Sequence, residues 1–164
     1  MKSVEKLDIK KLCNFYASDV HLSVMLLPYI SKEIDNDVEI TTIFEKTQKE
    51  EFEKIIEKLN LKNKEIVLKI NWIENCTEEK MENKIKGNYK YGKKNVIIIG
   101  GSESYVNFVN NIINNLYNKR KEIECEQKIK IIDCYNIEEM ESNIKDIANK
   151  YDGIINTITC FENA

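Results

Sequence analysis

Three stretches of the chain hold residues of a type and spacing that chemistry could use. The first is Tyr16-Ala17-Ser18-Asp19-Val20-His21, where an apolar strand-like run passes into a helical one. It offers a phenol, a hydroxyl, a carboxylate and the chain's single histidine, a set suited to recognising a small polar ligand. Catalysis would ask for more. A triad needs a nucleophile and an orienting group beside the base, and a metal needs cysteine or carboxylate help around one histidine. The residues around His21 declare neither, so capping or packing is its first reading, ahead of ligand recognition and of catalysis. Ser18 is the expected helix cap, with Asp19 favoured at the positive helix end.

The second stretch runs Val96-Ile97-Ile98-Ile99-Gly100-Gly101-Ser102-Glu103-Ser104, from a buried strand through two glycines into a helix capped by Ser102. Free amides at such a helix start can bind an anion, while Glu103 in the first turn would repel one. Two readings stand side by side: ligand contact by Gly100, Gly101, Ser102 and Glu103, and glycines that only let the chain turn sharply.

The third stretch is a decoy. Gly87, Gly92 and Lys93 have the spacing of a phosphate-binding P-loop, but Lys94 stands where that motif needs Ser or Thr to hold magnesium. The loop also runs into a strand instead of opening a helix, so no helix-end amides would meet a phosphate. A solvated, lysine-rich connection is expected, without ATP binding.

These residues need elements to place them. Strands are predicted at Lys11–Tyr16, Val38–Phe44, Ile66–Trp72, Val96–Ile99, Ile129–Cys134 and Ile154–Thr159, most of them β-branched and too short for helices. Helical periods fall at about 19–35, 48–60, 77–86, 103–121 and 137–150. Thr47 with Glu50, and Asn136 with Glu139, read as capping boxes. Leu22–Ile30 is apolar nearly all round, as befits a helix buried between layers, and Pro28 should kink it. The strand–helix alternation predicts an α/β fold over 1–164: an open, mainly parallel sheet of five or six strands with helices on both faces, RecA-like or Rossmann-like in kind. In such sheets the ligand crevice lies at the carboxyl ends of the strands. There Tyr16–His21 and Gly100–Glu103 would meet, with Asp133, Tyr135 and Asn136 in reach. How near His21 comes to Gly101 depends on strand order, and adjacent first and fourth strands would set them side by side.

Composition narrows the function classes. At 164 residues, with 42% hydrophobic and 32% charged, one folded domain is expected. A net charge of -3 argues against general nucleic-acid binding, and Arg120 is the sole arginine, so bidentate phosphate forks are scarce. Five cysteines without a CxxC pair, and a start lacking the apolar core of a signal peptide, point to a reducing, cytoplasmic setting. Cys13 and Cys134 read as small buried hydrophobes, and Trp72 as a packing residue. No apolar run approaches membrane-spanning length.

At Leu12-Cys13-Asn14-Phe15-Tyr16, Leu26-Leu27-Pro28-Tyr29-Ile30 and Ile40–Phe44 the chain resembles the MEDS family, sensory domains named from methanogens and methylotrophs. The likeness is clearest over 10–72. It implies a RecA-type fold without a working P-loop and a regulatory domain that senses a small organic ligand or a partner. Lys11 stands where the family commonly has a histidine. The expectation is a non-enzymatic sensory domain that uses no cofactor and no metal. Its partner would be a small molecule or a regulatory protein, with a homodimer open. An enzyme or binder acting on a phosphorylated, nucleotide-like molecule and a pure interaction adaptor are the alternatives.

Overall fold

The β-branched runs form strands, and the central one, at residues 95–101, is buried on both faces. The computed structural model describes residues 8–59, 63–89, 92–118, 128–155 and 160–162. Its strands are β1 (Asp8–Tyr16), β2 (Glu39–Phe44), β3 (Asn71–Glu74), β4 (Asn95–Gly101), β5 (Lys128–Asn136), β6 (Gly153–Ile155) and β7 (Cys160–Glu162). Helices α1 (Asp19–Asp35), α2 (Lys49–Lys58), α3 (Lys64–Leu68), α4 (Glu78–Asn88), α5 (Glu103–Asn118) and α6 (Ile144–Ala148) lie between them. The sheet order is β3-β2-β4-β5-β1-β6-β7. The first six strands pair in parallel, and β7 adds an antiparallel edge to β6. The expected open parallel α/β sheet is present, with one antiparallel strand beyond it.

Strand β4 shows how the two faces are used. Val96 and Ile98 belong to one apolar cluster, with Leu22, Leu26 and Ile30 of α1 and Phe52 and Ile56 of α2. Ile97 and Ile99 belong to the other, with Val106, Val109 and Ile113 of α5 and Met81 of α4. The alternation follows from the period of two along a strand. Each such side chain contributes about 1.5–3 kcal/mol by leaving water. Helix α1 runs unbroken through Pro28, which lies on its exposed side. No helix among the described residues is long and apolar enough to cross a membrane.

Several local expectations are corrected. The segment Ile66–Trp72 is not one strand: its first part is the one-turn helix α3 and only its end joins β3. Asn63 holds that turn by donating to the Ser31 carbonyl and the Asp35 carboxylate, and Val67 tucks under α1 while Ile66 faces water. Tertiary contact thus overrides β-propensity. Thr47 is not the cap of α2; Gln48 stands there, without a capping side-chain bond. The predicted helix 137–150 breaks into a 3₁₀ turn at Ile137–Glu139, capped by Asn136, and α6, capped by Asn143. Glu103 meets the chain at the break. Its carboxylate accepts the amides of Glu141 and Ser142, which a continuous helix would have donated to the carbonyls four residues back. Residues 60, 119–121 and 156–159 of the predicted elements lie outside the described residues.

Candidate functional site

Parallel pairing brings the ends of β1, β2, β4 and β5 to one edge. Tyr16 is level with Asn136, Phe44 with Gly100, and Gly101 with Tyr135. A small crevice of about 10 Å³ opens there, enough for one water-sized group. Tyr16 and Asp19 line one side, and Gly100 and Gly101 form the floor. Glu45, Lys46 and Gln48 come from the connection after β2, and Asn136 and Glu139 from the turn after β5.

Both glycines are needed. A Cβ on Gly100 would lie 2.6 Å from the Phe44 ring, and one on Gly101 would lie 2.7 Å from the Glu45 Cβ. Gly101 also has a φ of 153°, which side-chain-bearing residues rarely adopt. The close approach has a purpose. Glu45 reaches over Gly101 so that its carboxylate accepts the Ser102 amide at 2.9 Å and the Ser102 hydroxyl at 3.4 Å. Ser102 caps α5, as expected, by accepting the Tyr105 amide. The helix start is therefore filled by an internal carboxylate, where an external anion would otherwise bind.

The other expected site residues separate. Tyr16, Asp19, Gly100 and Gly101 share the crevice. Ser18 caps α1 by accepting the His21 amide, and His21 Nδ1 accepts the Ala17 amide at 3.0 Å. That bond turns the imidazole back onto its own turn. With β5 between β1 and β4, the two strands are not neighbours, and His21 is not among the residues that line the crevice with Gly101. Glu103 points to the 141–142 segment, where it also accepts the Ser142 hydroxyl at 2.7 Å. Bonds from Ser142 hold its carboxyl below the usual range.

The crevice is electrostatically negative. Three carboxylates, Asp19, Glu45 and Glu139, face one ammonium, Lys46, whose Nζ lies 3.6 Å from Glu139 at the exposed mouth. Burial pushes the Tyr16 phenol well up, and the nearby Cys134, Asp19, Glu139 and Glu45 push it further. Gln48 is 4% exposed and donates from Nε2 to Asp19 at 3.0 Å, while its Oε1 is buried with no hydrogen-bond partner among the described residues.

The residues after β2 escaped the sequence reading, although a third strand-to-helix connection at the same edge was the available signal. Asp133 and Tyr135 face the opposite side of the sheet from the crevice. There Asp133 accepts from Asn110 at 3.0 Å and from Tyr151 at 2.5 Å, with Lys11 Nζ 3.6 Å away, and Tyr135 bonds Tyr151. Lys11 also donates to Asn110 at 3.0 Å. Burial raises the Asp133 carboxyl, and these partners oppose the rise. Polar residues at inward strand positions, Lys11 and Asp133, were the signal for this network, which ties β1, β5 and α5 to the Tyr151 turn before β6. Cys13 and Cys134 are buried, as expected, and burial pushes the Cys13 thiol up to about 12. Neither is a ready thiolate. Trp72 packs against Phe44 and Phe52.

The pseudo P-loop lies elsewhere. Gly92 to Lys94 lead into the start of β4, at the amino edge, and Lys93 pairs with Asp37 at 3.2 Å. No group of histidine, cysteine or carboxylate side chains fit to hold a metal occurs among the described residues. Comparisons with protein-family models, with curated proteins and with solved structures find no match to this chain.

Proposed function

We propose that the chain is a non-enzymatic sensory or regulatory domain that binds a small ligand in the crevice at the carboxyl edge of its sheet. The observation that carries this reading is the convergence of four strand ends on one crevice lined by Tyr16, Asp19, Glu45, Gln48, Gly101 and Asn136. Open parallel sheets bind ligands at this edge. The resemblance to MEDS sensory domains supports the same reading.

A phosphorylated or nucleotide-like ligand is the weaker alternative, because Glu45 already takes the Ser102 amide and two further carboxylates face the space. The test is a thermal-shift screen with small amines, carboxylates, sugars and phosphate esters, run on the wild type and on Asp19→Asn. A binder at 100 times its Kd should stabilise by about 2.7 kcal/mol. At least one compound class should raise the wild-type Tm and lose that effect in the variant. If no class does so at millimolar concentration, the ligand-binding reading falls and a pure protein-interaction role takes its place.

A further inference from the structure

A cavity of about 600 Å³ opens at the amino edge of the sheet, the edge opposite the crevice, between the starts of β1, β4 and β5 and the end of α1. We propose that this cavity is a second binding site, independent of the crevice, for an organic dicarboxylate with an aliphatic body. Its volume falls within the roughly 300–1,000 Å³ of small-molecule sites.

Charge sets the class. Lys10 and Lys130 are level in the parallel β1–β5 pair, Lys94 stands just before β4 on the other side of β5, and all three line the cavity. Lys11 reaches Asn110 on the α5 face, so the alternation along β1 puts Lys10 on the α1 face. Lys130 lies on that face too, its Nζ 5.7 Å from the centre of the Tyr29 ring. Like charges side by side repel, and the row therefore favours negative charge in the space that it borders. Glu33 also lines the cavity, and the carbonyl end of α1 adds about half a negative charge. Three ammonium groups outweigh both.

Spacing and lining set the rest. Adjacent strands are about 4.8 Å apart, so Lys10 and Lys94 leave the backbone about 10 Å from each other, a span that suits two carboxylates at the ends of a short aliphatic chain. Val38, Val96 and Ile129 line the space such a chain would fill. Phosphate is disfavoured, because the cavity meets the carbonyl end of α1 instead of a helix-start amide, and no arginine fork is among the described residues that line it. Glu33 competes with any anion from outside, so its removal should strengthen binding, an effect that a purely structural role would not produce.

The experiment is calorimetric titration of the whole chain with adipate and with suberate, at constant ionic strength, with hexanoate as the one-acid arm and inorganic phosphate as the arm without a carbon body. Adipate or suberate should bind saturably, about tenfold tighter than hexanoate, the worth of a second charge-assisted contact. Lys10→Met and Lys130→Met should each weaken that binding by about tenfold, and Glu33→Gln should tighten it severalfold. Asp19→Asn, at the other edge, should leave it unchanged. Hexanoate binding as tight as that of adipate would overturn the two-acid assignment, and phosphate binding that Lys130→Met abolishes would overturn the carboxylate. Dicarboxylate binding lost in Asp19→Asn would belong to the crevice and overturn the amino-edge site. Absence of dicarboxylate binding at millimolar concentration overturns it as well, while the crevice reading keeps its own test. Should Lys10→Met or Lys130→Met fail to fold, an unchanged affinity in Glu33→Gln is itself enough to overturn the proposal.

Discussion

Glu45 and Ser102 are 57 residues apart, yet the carboxylate of one accepts the amide of the other at 2.9 Å, tying the start of α5 to the end of the neighbouring strand β2. This contact decides what the glycine turn does. It turns a motif that resembles an anion cradle into a closed joint between β2, β4 and α5.

ATP with magnesium, pyrophosphate and inorganic phosphate should give flat calorimetric titrations with the wild-type chain. Glu45→Ala should lower stability by about 1 kcal/mol, the usual worth of a helix cap, as read by urea unfolding. Micromolar ATP binding abolished by Lys93→Ala would contradict the assignment of that lysine to Asp37.

Gly100→Ala and Gly101→Ala should each destabilise by roughly 1–3 kcal/mol, in the range of overpacked cores. The new methyl would meet the Phe44 ring in the first case and Glu45 in the second. Phe44 cannot swing aside freely, since its ring also packs against Phe52 and Trp72. A Gly101→Ala protein with wild-type stability would show that the turn relaxes.

The Glu103 carboxyl is held below its ordinary value of 4.5 by the bonds from Ser142. A depressed folded-state pKa means that its contribution is present above about 4.5 and is lost as pH falls through the lower folded value. Glu103→Gln should cost about 1 kcal/mol at pH 7, and the gap from wild type should close as pH drops below 4. An equal gap at pH 7 and pH 3 would count against it.

On the other face, Tyr151→Phe should cost about 1–3 kcal/mol by leaving Asp133 short of a donor. Lys11→Met should cost more, about 3–5 kcal/mol, because it leaves a fully buried carboxylate without its cation. Denaturant melts of both variants check the order. If Lys11→Met proved the milder change, Lys11 would not be the charge that compensates Asp133.

His21→Ala should lower stability by about 0.5–1 kcal/mol through loss of the Ala17 bond, and leave any ligand effect on the crevice unchanged. A loss of binding in this variant would place the imidazole in the site after all.

Much of this protein could be read from its residues alone. Short β-branched runs such as Val96–Ile99 can only be buried on both faces, and that requirement implies a parallel sheet with helices on either side. Ser18 and Ser102 announced their helices because a cap is a local bond, made within three residues. What the residues left open was everything that joins distant segments. Strand order put β5 between β1 and β4, and the His21 ring bonds the Ala17 amide of its own turn. Glu103 accepts an amide 38 residues away, where the predicted helix is broken, and Asn63 bonds α1 from the start of a β-branched run that forms a helical turn. Glu45 and Gln48 entered the crevice from a connection that carries no motif. The physical reason is the same in each case. Propensity and capping act over a few residues, whereas a carboxylate or amide chooses its partner from whatever the packed sheet brings within 3 Å, and only the tertiary structure decides that.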